Sequence, residues 1–147
     1  MAKKSKTRRK SFYKSLPKVE LHRHLEGSLR LSTMMEIAKT YDLDLPKKAE
    51  KFRPLVQVVD GEPYTFQNFL AKFTTLRLFY QSPEVIKQIT RETIADAAED
   101  NVRYMELRFT PVALTRIKDF PLAEAMDWVI ETAEEAAEEH SVQTRLI

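Results

Sequence analysis

Residues 16–28 read Leu-Pro-Lys-Val-Glu-Leu-His-Arg-His-Leu-Glu-Gly-Ser, and this stretch decides the fold. Apolar and polar residues alternate in its first half, so we predict a β-strand over residues 17–24. Side chains two residues apart in a strand point the same way, which places His22 and His24 on one face. Gly27 interrupts the pattern and predicts a turn. The stretch therefore presents two imidazoles side by side at the end of a strand.

Strand and helix patterns alternate along the rest of the chain. Alternation predicts strands over residues 102–109 and 141–147, and helical periodicity predicts helices starting near Thr33, Thr65, Ser82 and Pro121. Residues 33–36, Thr-Met-Met-Glu, have the form of a capping box, which predicts Thr33 as a helix N-cap. Residues 46–64 contain three prolines and a glycine and are predicted to be an irregular connection. Helices between successive strands require crossover connections, so we predict an α/β fold with about three parallel strands.

Charge is spread unevenly over the 147 residues. The chain has 24 Lys+Arg and 22 Asp+Glu, but the first 14 residues hold seven of the bases and no acid. We therefore predict a disordered basic tail at residues 1–14 and an acidic folded body at residues 15–147. The alternative for the tail is phosphate binding or targeting. The body has no basic stripe with interleaved aromatics, which argues against nucleic acid as the main partner.

Several classes of protein are excluded by composition. The absence of cysteine excludes disulfides and thiolate metal sites. Gly27 and Gly61 are isolated, so they do not form a glycine-rich phosphate loop. No apolar run approaches the ~18–20 residues of a membrane span, and no apolar signal-peptide core follows the basic start. We expect a cytoplasmic protein without a membrane partner, and no pattern decides its oligomeric state.

The two histidines suggest a metal site. Neighbouring imidazoles on one strand face can share one ion, with Zn–N distances of about 2.0–2.1 Å. The end of a strand is also where active sites of parallel α/β barrels are assembled. The alternative is that His22 and His24 form a chance pair. Glu26 and Gly27 favour the metal, because a carboxylate and an unhindered backbone suit a polar ligand lying over it.

Residues 17–27, PKVELHRHLEG, resemble the opening signature of the adenosine deaminase family, within the metal-dependent amidohydrolase superfamily. Every fixed position of the pattern P-K-x-E-L-H-x-H-L-[DE]-G matches. FQNFLAKF (66–73) resembles the family's hydrophobic helix beside the substrate mouth, and NVRYMELRFTP (101–111) resembles its second barrel strand. The resemblance covers residues 16–147 and implies the N-terminal part of a (β/α)8 TIM barrel.

The resemblance also implies an activity. The family removes the 6-amino group of a purine, converting adenosine and water into inosine and ammonia, with one zinc ion. His22 and His24 match the family's zinc ligands, and Glu26 stands where the family has a carboxylate that binds a ribose hydroxyl. Glutamate is common at that position in adenine deaminases, so an adenine deaminase is the open alternative. The implied partner is adenosine or a related purine.

The residues that the resemblance places at the substrate come from three segments of the chain. They are His24, Glu26, Gly27, Phe66, Phe69, Leu70, Phe73 and Thr110. The four residues between 66 and 73 recur at helical spacing, so ordinary helix packing is the alternative explanation for them.

Part of the family's machinery has no counterpart in this chain. A catalytic zinc usually has three protein ligands, and the chain offers two. The resemblance places the remaining ligands and the catalytic groups on later strands, so no catalytic residue is expected here. Because a barrel takes about 250 residues, we expect an N-terminal portion of a longer protein. The alternative is a catalytically silent fragment that folds alone, or an interaction module.

Overall fold

The structure is a computed structural model that describes residues 11–147. Three parallel strands form one sheet in the order β1-β2-β3, which confirms the predicted fold class. The strands are β1 (Lys18–His24), β2 (Val102–Arg108) and β3 (Gln143–Leu146). Each predicted strand is present, because the period-two alternation that defines it recurs in all three segments.

Helices connect the strands and cover one side of the sheet. They are α1 (Leu31–Thr40), α2 (Ala49–Val56), α3 (Phe66–Leu76), α4 (Pro83–Glu99), α5 (Pro111–Thr115) and α6 (Leu122–His140), with 3₁₀ turns at Leu25–Gly27 and Arg77–Phe79. Two predicted starts are confirmed by their caps. The hydroxyl of Thr65 accepts the Asn68 N–H at 3.1 Å, and that of Ser82 accepts the Val85 N–H at 3.3 Å.

The core lies between the sheet and the helices α4 and α6. Met105 and Leu107 of β2 are 0% exposed and join a cluster with apolar residues of both helices, including Ile86, Ile94 and Val129. Intervening residues of β2 lie on the opposite face, where the Tyr104 hydroxyl donates to Glu106 at 2.9 Å. The predicted alternation of β2 is confirmed: its apolar residues pack under helices and its polar residues do not.

The predicted start of α1 is wrong. The helix begins at Leu31, with Arg30 as its N-cap, so Thr33 lies inside it and does not cap it. The Thr33 hydroxyl donates instead to Glu92 of α4, at 2.7 Å. A local capping pattern is a weak signal when a partner from another helix takes the same hydroxyl.

The prediction of an irregular connection over residues 46–64 is wrong in part, because α2 lies inside it. Phe52 and Val56 of α2 are buried in the core. Burial of these side chains outweighs the helix hydrogen bond that Pro54 cannot donate.

The edge strand β1 exposes its apolar side chains. Val19 and Leu21 are 63% and 60% exposed.

The predicted tail falls partly outside the described residues, because residues 1–10 are not among them. Residues 11–15 are helical, whereas the prediction extended disorder to residue 14. Lys14 Nζ lies 2.9 Å from a Glu99 oxygen, and Asn101 Nδ2 donates to the Ser15 carbonyl at 2.7 Å. These contacts join the first described residues to the end of α4. None of the helices in the described part of the chain is long and apolar enough to cross a membrane.

Candidate metal and purine site

The two histidines meet at the C-terminal end of β1. Nε2 of His22 lies 3.0 Å from Nε2 of His24, and the ring centroids are 4.9 Å apart. Two nitrogen ligands of one tetrahedral zinc ion lie about 3.3 Å apart when each is at about 2.05 Å from it. The two Nε2 atoms therefore fit one zinc ion if the distance between them increases by a few tenths of an ångström. His22 is exposed and His24 is half-buried, so an ion can reach both rings.

A third metal ligand is not found beside them. Within residues 11–147, no group of three or more His, Asp or Glu side chains is arranged to hold a metal ion. A catalytic zinc usually takes three protein ligands and keeps one open position. The described residues thus provide two nitrogen ligands for a zinc ion, one fewer than a catalytic zinc usually has.

Glu26 links the ends of two strands. It lies in the 3₁₀ turn after β1 and is 3% exposed. Its Oε1 accepts the backbone N–H of Thr110, just beyond β2, at 2.6 Å. The Ser28 hydroxyl donates to the His24 carbonyl at 2.7 Å and fastens the same turn. His24 and Glu26, predicted from one segment, and Thr110, predicted from another, are therefore brought to one edge of the sheet.

The second oxygen of Glu26 is one of three buried polar atoms without a hydrogen-bond partner among residues 11–147. Oε2 of Glu26, the hydroxyl of Tyr80 and Nε of Arg77 make up this group. Burial raises the pKa of Tyr80 well above its usual value, the charge of Glu26 raises it further, and Arg77 opposes both.

The sequence reasoning did not single out Tyr80 and Arg77, each of which has a buried polar atom without a partner among residues 11–147. Helical spacing from Phe66 continues through Leu76 to Tyr80 in the sequence, which predicts the Tyr80 ring as one more apolar contact. In the structure α3 ends at Leu76 and a 3₁₀ turn follows, so Tyr80 leaves the stripe, but its ring still packs in the core.

Gly27 is not required by the backbone or by crowding. A Cβ built on Gly27 would meet only Cβ of His24, at 3.9 Å, which is an ordinary contact. Its φ is not in the left-handed region that favours glycine. The residue leaves an exposed, unhindered backbone directly beside His24.

The predicted mouth residues of α3 lie largely on the surface. Phe66 is 74% exposed, Phe69 and Leu70 are also exposed, and Phe73 is half-buried with its ring 5.3 Å from that of Phe69. Ordinary helix packing would bury this stripe, so it does not explain the exposure. The helix itself contacts the turn that carries Glu26.

Three cavities lie away from the predicted site residues. A cavity of about 490 Å³ lies between α1 and the connection to α2, with Met35, Leu43 and Phe52 in its walls. The others, of about 440 and 370 Å³, are lined by residues of α6 and β3 and by Arg30 and His140 among others. None of the predicted site residues lines any of these three cavities.

Comparison with known proteins gives a family match over most of the chain. Residues 17–147 match the family model described as adenosine deaminase. The adenosine deaminase of Clostridium botulinum is 36% identical over 136 residues, which are 92% of this chain and 40% of that enzyme. The chain thus spans about 40% of the length of the curated relatives it matches.

Solved structures of deaminases and amidohydrolases share the fold. A zinc-bound amidohydrolase from Burkholderia ambifaria has a TM-score of 0.76 at 26% identity, covering 93% of this chain and 36% of its own. Adenine deaminase from Arthrobacter aurescens has a TM-score of 0.74 at 26% identity, over 88% and 38%. ADAL from Arabidopsis, complexed with GMP, has a TM-score of 0.70 at 29% identity, over 92% and 41%. These likenesses confirm the predicted part of an α/β barrel.

Proposed function

This chain belongs to the adenosine deaminase family, and we propose its function on that basis. The chain supplies two zinc ligands and part of the purine site of an aminohydrolase that converts adenosine and water into inosine and ammonia. One observation carries the proposal: two histidine nitrogens 3.0 Å apart lie at the same sheet edge as the buried Glu26. We place the enzyme in the cytoplasm, with residues 15–147 as its barrel segment and residues 1–14 as a basic arm.

His22 and His24 hold the zinc ion through their Nε2 atoms, in the neutral form that a metal ligand requires. A bound zinc ion supplies hydroxide at neutral pH by lowering the pKa of water. Both rings project from one strand, so their spacing is fixed by the backbone before any metal arrives. The remaining zinc ligand comes from outside the residues described here, because a catalytic zinc usually takes three.

Glu26 is the proposed anchor for the sugar. With Oε1 committed to the Thr110 N–H, Oε2 is the acceptor for a ribose hydroxyl. A buried acceptor without a partner gains most from such a donor. The unhindered backbone at Gly27 gives the ligand room beside His24.

The exposed apolar side chains of α3 form the proposed cover of the purine ring. They are Phe66, Phe69, Leu70 and Phe73. Aromatic side chains stack on flat rings and exclude water from them. Thr110, at the end of β2, borders the same space.

The reaction balances without an oxidant or reductant. The water oxygen bonds to C6 of the purine and the C6–N bond breaks. One water proton ends on N1 of the product, and the other leaves with the amino group as ammonia. We assign neither proton transfer to a residue of this chain.

Adenine deamination is the second candidate. Two observations favour it: position 26 is a glutamate, the residue common there in adenine deaminases, and the adenine deaminase from Arthrobacter aurescens shares this fold at a TM-score of 0.74. Comparing adenosine with adenine as substrates separates the two candidates.

The test supplies the rest of a barrel. Residues 17–147 are joined to the part of the Clostridium botulinum adenosine deaminase that follows its matched segment, and ammonia release from adenosine, adenine and a purine nucleotide is measured with added zinc. We expect turnover of adenosine, its loss in His24→Ala, and its retention in the control His140→Ala. Faster turnover of adenine would favour the second candidate.

Two further results decide the proposal. A folded, zinc-loaded hybrid that releases no ammonia from any of the three purines would contradict it. The 147-residue protein assayed alone is expected to be inactive, since its described residues hold two zinc ligands. Zinc-dependent turnover by that protein, lost in His24→Ala, would mean that this chain is sufficient and that the ligand count is wrong.

A further inference from the structure

Helix α3 packs with an unusual face toward the protein. Its buried residues are Lys72, which is 9% exposed, and Leu76, whereas Phe66 on the same helix is 74% exposed. Lysine is almost never fully buried unless it is paired, and burial of apolar side chains stabilises a fold. A helix free to turn about its own axis would therefore bury its phenylalanines and expose the lysine. Some interaction must hold α3 in the opposite orientation.

Lys72 is held by two partners from outside the helix. Its Nζ donates to the Pro54 carbonyl at 2.5 Å and lies 2.7 Å from Oε2 of Glu62. The last carbonyls of a helix lack partners inside it, and Pro54 lies in the last turn of α2. The side chains of Lys72 and Glu62 are 11% and 18% exposed, so solvent and salt screen their attraction less than that of an exposed pair.

Asn68 belongs to the same arrangement. It precedes Lys72 by four residues, so both side chains lie on one face of α3. Nδ2 of Asn68 donates to Oε2 of Glu62 at 2.8 Å and to the Pro63 carbonyl at 3.2 Å. One carboxylate oxygen thus accepts from two side chains of a single helix face. We call Glu62, Asn68 and Lys72 the clasp, which joins α3 to the connection that precedes it.

We propose that Lys72 is a positioning residue, which through Glu62 fixes the rotation of α3 about its axis and keeps the apolar face of the helix directed outward. Leu70 is two residues from Lys72, or about 200° around a helix, so it lies nearly opposite the lysine. Anchoring Lys72 therefore determines where Leu70 points. This inference rests on the proposed function in taking that apolar face as the cover of the purine ring. Lys72 itself touches no substrate.

The experiment uses the 147-residue protein and one introduced thiol. The chain has no cysteine, so Leu70→Cys places a single thiol on the face opposite Lys72. Leu70 is 46% exposed, and the rate of alkylation by iodoacetamide, an uncharged reagent, reports the exposure of this position. Glu62→Met removes the counter-charge of Lys72, and a buried charge without its partner is costly. We expect Lys72 to turn toward solvent and position 70 to turn inward, which slows alkylation about fivefold.

Two comparisons separate turning from the effect of charge on the thiol. Loss of a negative charge favours the thiolate and would by itself speed the reaction. Adding Lys72→Met to Glu62→Met replaces the ion pair with two apolar side chains, which is often neutral for a buried pair. The rate should then return to within about twofold of its value in Leu70→Cys alone. The control Glu50→Met, at an exposed position in α2, should leave the rate unchanged.

Each other result counts against the proposal. An unchanged rate in Glu62→Met would mean that Lys72 stays in place without the carboxylate. A faster rate would mean that α3 opens and does not turn. A slower rate that Lys72→Met fails to restore would assign the rotation to another group. If Glu62→Met does not fold, Glu62→Gln takes its place, with the same direction and a decrease of about twofold expected, because an amide still accepts a hydrogen bond but carries no charge.

The barrel hybrid tests the role of the clasp at the purine site. Turning the cover away should weaken binding more than it slows chemistry, so Glu62→Met should raise KM for adenosine about fivefold and change kcat less than about twofold. An unchanged KM would overturn that role. The alkylation rates need neither zinc nor purine. An inactive hybrid with the expected alkylation rates would therefore contradict the proposed function and not the action of Lys72 on α3.

Discussion

The two faces of the sheet differ in what covers them. On one face, Met105 and Leu107 are 0% exposed beneath α4 and α6. On the other, the exposed Arg108 pairs in register with the half-buried His24. The covered face stabilises the fold and the other carries the proposed chemistry. Substitutions on the two faces should therefore change different measured quantities.

The largest expected effect is on the covered face. Met105→Ala should lower the free energy of unfolding by about 2–5 kcal/mol, because the removed side chain leaves a cavity that the core refills only partly. The other face supplies the control: Arg108→Ala, at an exposed position, should stay within about 0.5 kcal/mol. Urea denaturation followed by circular dichroism measures both. Equal costs at the two positions would mean that the faces do not differ in packing.

On the other face the expected change is in metal binding. His24→Ala should weaken zinc affinity at least tenfold, about 1.4 kcal/mol, because one donor of the pair is lost. Its effect on the urea midpoint should be small. Isothermal titration calorimetry with zinc measures the affinity, and His140→Ala is the matched control. An unchanged affinity in His24→Ala would place the zinc elsewhere.

A smaller effect on the free energy of unfolding is expected at the N-terminus of α4, one of the helices that cover the sheet. Ser82→Ala removes the side-chain oxygen that accepts the Val85 N–H at 3.3 Å, and it should cost about 1 kcal/mol of unfolding free energy. Ser32→Ala, at an exposed position inside α1, should be neutral or slightly stabilising. If both substitutions cost the same in urea denaturation, the cap does not stabilise α4.

The smallest effect concerns the contact between α3 and the segment before it. Glu62 Oε2 lies 2.7 Å from Lys72 Nζ, and the hydrogen bond from Lys72 lowers the pKa of Glu62 below its usual 4.5. The folded carboxyl thus binds a proton less readily than the unfolded one. The stabilisation is therefore complete above pH 4.5 and is lost as the pH falls below it.

The measurement for this pair is the urea midpoint of wild type minus that of Glu62→Gln, taken at decreasing pH. The difference should be constant down to about pH 4.5 and shrink below it. Glu50→Gln, at an exposed position in α2, should show no such trend. A difference that grows as the pH falls would reverse the sign of the proposed linkage.

Local patterns explain which parts of the fold were predictable. The three strands follow from alternation, and the starts of α3 and α4 follow from Thr65 and Ser82, whose side chains cap the nearby backbone. The sequence did not predict α2 because a proline inside a segment usually ends a helix. In the structure, burial of Phe52 and Val56 outweighs the hydrogen bond that is lost at Pro54. Likewise Thr33 matched a capping pattern, but Glu92 of another helix is its actual partner.

The same limit applies to the site. The approach of His22 and His24 was predictable because i and i+2 share a strand face. The hydrogen bond from Thr110 to Glu26 was not, because it joins residues 84 positions apart whose approach depends on the parallel pairing of β1 and β2.

The proposed function depends on His22 and His24 binding one zinc ion together. X-ray absorption at the zinc edge, on the 147-residue protein with one equivalent of zinc, identifies the ligands of that ion. We expect two imidazole nitrogens at about 2.0–2.1 Å in wild type, and one in either His22→Ala or His24→Ala. A zinc ion with no imidazole ligands, or with the same ligands after both histidines are removed, would contradict it.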